Sequence, residues 1–257
     1  MLDKPDFKGL MNLNEWLKWY DKLRAKFGYS VVEDQNAARF LSELLEGRSL
    51  DLKTLSNLVY NRNVLVVGAG PSLDDSLPRI HSVKQFTTIA ADGVCQAMLE
   101  NNIKPHIVMT DLDGSHEHLL QSDKMGSIMV VHAHGDNVDL MRNLVPKMKN
   151  CIGTTQVKPL QNVYNFGGFT DGDRAVFLAN EFGAINIVLV GMDFGEKIGR
   201  YSKTKVKDEK LKIAKMAVGK ELLEWLSTFS TAKLYNASSS TIKGFKNIQF
   251  DDINSII

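Results

Sequence analysis

Asp111 and Asp113 stand two residues apart in Thr110-Asp111-Leu112-Asp113-Gly114, directly after an apolar run. At the end of a strand, that spacing aims both carboxylates the same way. Paired hard oxygens suit Mg²⁺, which takes one or two carboxylates and fills its octahedron with water and phosphate oxygens. In isolation Asp-Gly is also ordinary turn chemistry. A third acidic residue follows another apolar run in Ala91-Asp92-Gly93. Three carboxylates after two strands of one sheet favour a metal–phosphate site, with Asp111 and Asp113 as metal ligands and Asp92 beside them.

Further polar turns follow the other apolar runs. In Gly68-Ala69-Gly70-Pro71-Ser72-Leu73-Asp74, Gly68 and Gly70 let backbone approach a ligand, and Pro71 and Ser72 open a helix whose free N–H groups favour phosphate. Leu73 occupies the place of the third glycine of a dinucleotide fingerprint, so the turn alone is also read as a tight strand-to-helix connection. In His132-Ala133-His134-Gly135-Asp136-Asn137, the imidazoles and Asp136 can ligate a transition metal or line a substrate site without one. With no matching His or Cys cluster elsewhere, lining by His132, His134 and Asn137 is the preferred reading. The stretch Gly167-Gly168-Phe169-Thr170-Asp171-Gly172-Asp173-Arg174 adds two glycines, Asp171 and Asp173 at a helix start, and an arginine fork for phosphate. Gly191-Met192-Asp193-Phe194-Gly195 contributes one more carboxylate. Each turn singly can be an ordinary loop, but coincidence is a poor account of all six.

The elements that must carry these turns are strands alternating with helices. Val64 to Val67, Phe86 to Ala91, His106 to Thr110, Ser127 to His132, Cys151 to Thr154 and Ile185 to Val190 read as strands buried on both faces, and Lys233 to Tyr235 as a further one. The pattern predicts an α/β, Rossmann-like, mostly parallel sheet flanked by helices, with ligands outside the carboxyl ends of the strands. Residues 1–60 read as a helical segment and 61–257 as the α/β catalytic domain. In the first segment, Asn12 to Phe27 is an amphipathic helix stopped by Gly28. Gln35 to Glu46 follows an Asp34 cap, and Leu52 to Tyr60 forms a third helix. A helix is also expected from Val206 to Ser230. The basic segment of residues 197–220, with Lys197, Arg200, Lys203, Lys205, Lys207, Lys210, Lys212, Lys215 and Lys220, reads as a solvated face by default. Its other reading is a lid over polyphosphate that is mobile without ligand.

Composition excludes several classes. The 257 residues carry 31 Lys and Arg against 30 Asp and Glu, so no bulk field argues for nucleic-acid or membrane binding. Cys95 and Cys151 lie far apart, which argues against a disulfide framework or a cysteine-rich zinc site and fits a reducing cytoplasm. The amino terminus lacks a signal-peptide core, and no run of about 18 apolar residues occurs. A cytoplasmic enzyme is expected, and a homo-oligomer is compatible with this.

Taken in order, GAGPSLD, ADG, TDLDG, HAHGDN, GGFTDGDRA and GMDFG resemble the archaeal 6-hydroxymethyl-7,8-dihydropterin pyrophosphokinase family, the MptE-like proteins. The ADG and DLDG pair also resembles thiamin pyrophosphokinases. The resemblance implies Mg²⁺-dependent transfer of pyrophosphate from ATP to the hydroxymethyl oxygen of a reduced pterin, releasing AMP. It assigns Mg²⁺ to Asp111 and Asp113 with Asp92 close by, a cradle for phosphate or pterin to the GAGPS turn, and site lining to His132, His134, Asn137 and Asp171 to Arg174. Similar GxGPSL domains occur in glycosyltransferase-like proteins, in which the acidic pair would serve a sugar nucleotide.

Overall fold

The computed structural model describes residues 10–83, 85–202 and 209–256. Its strands are β1 (Asn63–Val67), β2 (Phe86–Ala91), β3 (Ile107–Thr110), β4 (Ile128–Ala133), β5 (Cys151–Thr155), β6 (Val163–Tyr164), β7 (Asn186–Val190), β8 (Lys233–Asn236) and β9 (Lys246–Asn247). They form one sheet in the order β6-β5-β4-β3-β2-β1-β7-β8-β9, and every ladder between neighbouring strands is parallel. A parallel sheet needs both faces covered. Val64 and Val66 accordingly enter one core and Leu65 and Val67 the other. The strand order reverses at β1, which pairs with β2 on one side and β7 on the other. That reversal opens the crevice in which such folds bind ligands.

The helices are α1 (Leu13–Phe27), α2 (Val31–Leu44), α3 (Leu52–Val59), α4 (Leu73–Ser76), α5 (Asp92–Glu100), α6 (His116–Lys124), α7 (Val138–Leu144), α8 (Asp171–Glu181) and α9 (Glu209–Leu226). Asn12 caps α1 by accepting from the Asn14 and Glu15 amides, and Gly28 ends it at φ 77°. The start of α2 differs from the sequence reading. Ser30 is the cap and the helix begins at Val31, four residues before Gln35. Val31 and Val32 are exposed, so the first turn carries no amphipathic signal, and Asp34 lies buried inside the helix. Trp16, Tyr20 and Leu23 of α1 and Ala37, Ala38 and Leu41 of α2 share one core with Val64 and Val66 of β1.

The helix α8 lies against β1, β2, β3 and β7, and Gly172 to Glu181 are all buried. Gly167 and Gly168 fold the preceding turn closely onto α8. Both have positive φ, and a Cβ on them would stand 2.7 Å from the Phe177 ring and 2.6 Å from the Arg174 Cα. The expected helix from Val206 is described from Glu209 to Leu226, and residues 206–208 lie outside the described residues. No described helix is long and apolar enough to cross a membrane.

Candidate active site

A cleft of about 850 Å³ opens along the carboxyl ends of the strands. Of the residues singled out from sequence, Gly68, Gly70, Asp92, Gly93, Asp111, Asp113, His132, His134, Asp171, Arg174 and Asp193 line it. Pro71, Ser72, Asn137, Gly167, Gly168 and Asp173 do not line it, and the contacts given below show what Ser72, Asn137 and Asp173 hold in place.

Asp92, Asp111 and Asp113 bring carboxylate oxygens within 4.8 Å of one another. The acidic pair converges by a different route from strand alternation. The strand β3 ends at Thr110, and Leu112 adopts a left-handed φ of 72°. The Leu112 amide donates to Thr110 Oγ1 (2.8 Å) and the Asp113 amide to Asp111 Oδ1 (3.3 Å), so a turn folds the two side chains together. Thr110 Oγ1 in turn donates to Asp92 Oδ1 (2.6 Å). The other Asp92 oxygen is buried and receives no hydrogen bond among the described residues, while the Asp113 carboxyl lies within reach. A Cβ on Gly114 would come within 2.5 Å of both Asp92 oxygens, so this glycine clears the space that the carboxyl occupies.

Burial pushes Asp92 well above the usual carboxylate range, helped by Asp113, Asp171 and Asp111. Burial and the Asp111 charge also raise Asp113. Burial acts on Asp111 in the same direction, but hydrogen bonding and charge from His134 and the Asp113 amide hold it below its ordinary value. His134 Nε2 lies 3.5 Å from Asp111 Oδ2. Asp171 is raised by burial and by Asp111 and Asp113. A cluster in which Asp92, Asp113 and Asp171 resist ionisation while Asp111 favours it, with one Asp92 oxygen unmet, forms the donor set that a hard divalent cation relieves.

Residues behind the cleft wall fix this geometry. Asn137 donates to the carbonyls of Asp111 (2.8 Å) and His132 (2.7 Å) and accepts from the His134 amide (3.1 Å), joining the ends of β3 and β4. His132 is buried with Nδ1 3.3 Å from Thr154 Oγ1, and burial next to Arg174 and His134 depresses its basicity. Arg174 donates from Nε to the Phe169 carbonyl (3.1 Å) and from Nη2 to Gln156 Oε1 (3.0 Å). Asp173 caps α8, accepting from the Phe169 (2.5 Å) and Thr170 (2.9 Å) amides. Asp34 accepts from Tyr20 Oη (2.5 Å), Gln156 Nε2 (2.6 Å) and the Gly135 amide (2.8 Å), tying α1 and α2 to this wall. Asp136, by contrast, is a solvent-facing rim residue with its carboxylate 3.9 Å from His134 Nδ1.

At the strand-order reversal, the turns after β1 and β7 interlock. The Gly68 amide donates to the Val190 carbonyl (2.8 Å) and the Gly70 amide to the Gly191 carbonyl (2.7 Å). A Cβ on Gly70 would meet Asp193 Oδ2 at 2.5 Å. Asp193 accepts from the Ser72 amide (2.7 Å), Ser72 Oγ (2.9 Å) and the Ser239 amide (2.8 Å), so it anchors the GAGPS turn. Ser72 spends its hydroxyl there and makes no cap bond to α4. The 198–202 stretch roofs this end, close enough that a Cβ on Gly93 would collide with the Tyr201 carbonyl. Among the basic residues, Lys212 and Lys215 line the cleft and Arg200 pairs with Asp74 at 2.9 Å. Lys203, Lys205 and Lys207 lie outside the described residues.

Sequence reasoning missed Tyr29 and Gln156 and gave Phe169 no role, though it lies within the Gly167 to Arg174 stretch; all three line the cleft. Neither Tyr29 nor Gln156 sits in an acidic or glycine-rich motif. The available signal was positional, since Gln156 lies two residues past the strand expected over Cys151 to Thr154 and Tyr29 directly follows a helix stop.

The fold and cleft define a Rossmann-like α/β protein with a carboxylate cluster at the carboxyl edge of its sheet. The chain belongs to the MptE-like family, described as "6-hydroxymethylpterin diphosphokinase MptE-like", whose model matches residues 38–199. Three archaeal proteins named 6-hydroxymethyl-7,8-dihydropterin pyrophosphokinase are similar over most of their length. That of Pyrococcus furiosus is 44% identical over 89% of this chain and 100% of its own. Those of Methanocaldococcus jannaschii and Methanothermobacter thermautotrophicus are 39% and 40% identical over 84% of this chain, and 96% and 95% of theirs. Among solved structures, the MAf glycosyltransferase of Magnetospirillum magneticum AMB-1 superposes with a TM-score of 0.53 at 14% identity, covering 84% of this chain and 41% of that one. At that identity the likeness concerns the fold alone.

Proposed function

We propose that this chain transfers the β,γ-pyrophosphoryl group of ATP to the hydroxymethyl oxygen of 6-hydroxymethyl-7,8-dihydropterin, with Mg²⁺, giving the pterin diphosphate and AMP. The observation that carries the reading is the convergence of Asp92, Asp111 and Asp113 within 4.8 Å at the edge of the cleft. The names of the archaeal relatives support the acceptor.

In the proposed reaction a bond forms between the acceptor oxygen and the β-phosphorus. The bond from that phosphorus to the oxygen bridging it to the α-phosphate breaks, AMP leaves with that oxygen, and the hydroxyl proton is released to solvent. Asp111 and Asp113, with the unmet oxygen of Asp92, would hold Mg²⁺, which when bound neutralises charge on the phosphate oxygens. The chain's own groups position and exclude. Thr110 orients Asp92, and His134 supports Asp111 in its ionised form. Gly68, Gly70 and Gly191 line the end of the cleft proposed for the phosphates, while Lys212 and Lys215 add positive charge on the α9 side. Positioning and electrostatics are the main resources of such a transfer. The reading places the enzyme in the cytoplasm, where ATP is available.

The test is AMP formation by the purified chain with ATP, Mg²⁺ and a panel of acceptors. Stoichiometric AMP with the reduced hydroxymethylpterin, and none with thiamin or sugar acceptors, supports the reading. Turnover with thiamin alone, or of a sugar nucleotide in place of ATP, refutes it.

A further inference from the structure

Gly28 turns the chain at the end of α1, so Phe27 and Tyr29 come to the same side of that turn. Their rings are 5.9 Å apart, the Phe169 ring stacks on Phe27 at 5.3 Å with 23° between planes, and Tyr29 lies 6.1 Å from Phe169. Tyr29 and Phe169 face the cleft. Phe169 is held on both sides, since its amide donates to Asp173 Oδ2 and its carbonyl accepts from Arg174 Nε. On the cleft side Lys215 Nζ of α9 stands 5.5 Å from the Tyr29 ring and 5.9 Å from the Phe169 ring, so a ring bound there takes the place of that ammonium. A fixed aromatic platform in the cleft wall is suited to a flat π system.

The position of the platform separates it from the nucleotide end. Arg174 bridges the Phe169 carbonyl and Gln156, and Gln156 follows β5, four strands from β1 in the sheet. The interlocked glycine turns lie at the β1/β7 reversal, the point of such a sheet at which a nucleotide is expected. Between the two regions lies the acidic cluster. Asp171, two residues after Phe169, faces the cleft, feels the charges of Asp111 and Asp113, and makes no side-chain hydrogen bond to another described residue.

We infer that Tyr29 and Phe169 form the acceptor subsite, holding a flat, nitrogen-rich heteroaromatic ring with its hydroxymethyl arm toward the acidic cluster, while ATP enters from the β1/β7 side. The Asp171 carboxyl is the group placed to meet N–H donors on the edge of such a ring. The assignment rests on the pyrophosphokinase reading and adds to it the specificity-determining residues. It also gives the helical amino segment a part in substrate choice, because Tyr29 comes from the junction of α1 and α2.

Calorimetric titration of the full chain separates the two subsites, with 6-hydroxymethylpterin in one arm and Mg²⁺ with a nonhydrolysable ATP analogue in the other. Tyr29→Ala is expected to weaken pterin binding about ten-fold and to leave nucleotide affinity within about two-fold, whereas Tyr29→Phe restores pterin binding. Phe169→Leu keeps the apolar volume, removes the π face and should behave like Tyr29→Ala, which guards against misfolding of either variant. Unchanged pterin affinity in both folded variants, or an equal loss for the nucleotide, overturns the subsite. A wild-type chain that binds the nucleotide but no pterin overturns the pterin reading and this inference with it. A chain that binds pterin equally in all variants refutes the subsite alone.

Discussion

Replacing Asp34 should unfasten the wall that supports the active site. Its carboxylate is buried and accepts three hydrogen bonds, from Tyr20 Oη at 2.5 Å, Gln156 Nε2 at 2.6 Å and the Gly135 amide at 2.8 Å. Hydrogen bonds to a charged group contribute about 1.5–3 kcal/mol each, and an abandoned buried partner adds its desolvation penalty. The three bonds share one acceptor and cannot be summed independently, so Asp34→Ala should lower stability by about 3–5 kcal/mol. Asp34→Asn keeps one acceptor oxygen but sets an NH₂ against groups that are themselves donors, and should lose nearly as much. Tyr20→Phe removes a single bond and should lose about 1–2 kcal/mol. Urea denaturation followed by far-UV circular dichroism measures all three, with constant m-values indicating an unchanged two-state transition. In the Tyr20→Phe background the effect of Asp34→Asn should shrink, because the bond they share is already gone. An Asp34→Asn variant within about 1 kcal/mol of wild type at equal m would refute the reasoning.

Asp111→Asn and Asp113→Asn should each reduce turnover by about 100-fold or more while the apo proteins stay as stable as wild type, because each removes a like charge from a crowded cluster; loss of stability in parallel with activity, seen by calorimetry, would contradict this. Gly114→Ala should disable the site without touching a carboxylate, since its Cβ would stand 2.5 Å from the Asp92 oxygens; normal turnover would show that Asp92 can move without consequence. Burial lifts Glu181, which accepts from the Met11 amide at 3.0 Å, from an ordinary 4.5 to about 7. Between those values the folded chain keeps a proton that the unfolded chain releases, so stability should fall by about 3 kcal/mol as pH rises through that window and level off above it. Glu181→Gln should flatten that part of the stability profile, and an unaltered slope would remove Glu181 as its source.

The parts most legible in the sequence were those in which one physical demand dominates. Runs such as Val64 to Val67 and Ile187 to Val190 are buried on both faces and can hardly be anything but interior strands, although the sequence reading starts the second run at Ile185, which is exposed and precedes the strand. Polar turns after each run marked the ligand edge. The acidic pair was legible, but its geometry was not, because the left-handed Leu112 that folds Asp111 toward Asp113 is a backbone state that residue type does not announce. Asp34 was misread as a cap because an acidic residue before an amphipathic stretch is the usual signature, while its three partners come from distant segments. The small size of Gly167 and Gly168, expected at the ligand, also lets their turn pack against Phe177 and Arg174 of α8. Tyr29 and Gln156 carry no local motif, and only the tertiary fold brings them to the cleft.

The central claim is pyrophosphoryl transfer at the carboxylate cluster, and the path of the β-phosphorus tests it most directly. With ATP labelled at the β-phosphorus, Mg²⁺ and reduced hydroxymethylpterin, the account predicts all transferred label in the pterin product and an unlabelled AMP. Label recovered in ADP, with a pterin monophosphate as the product, would contradict it.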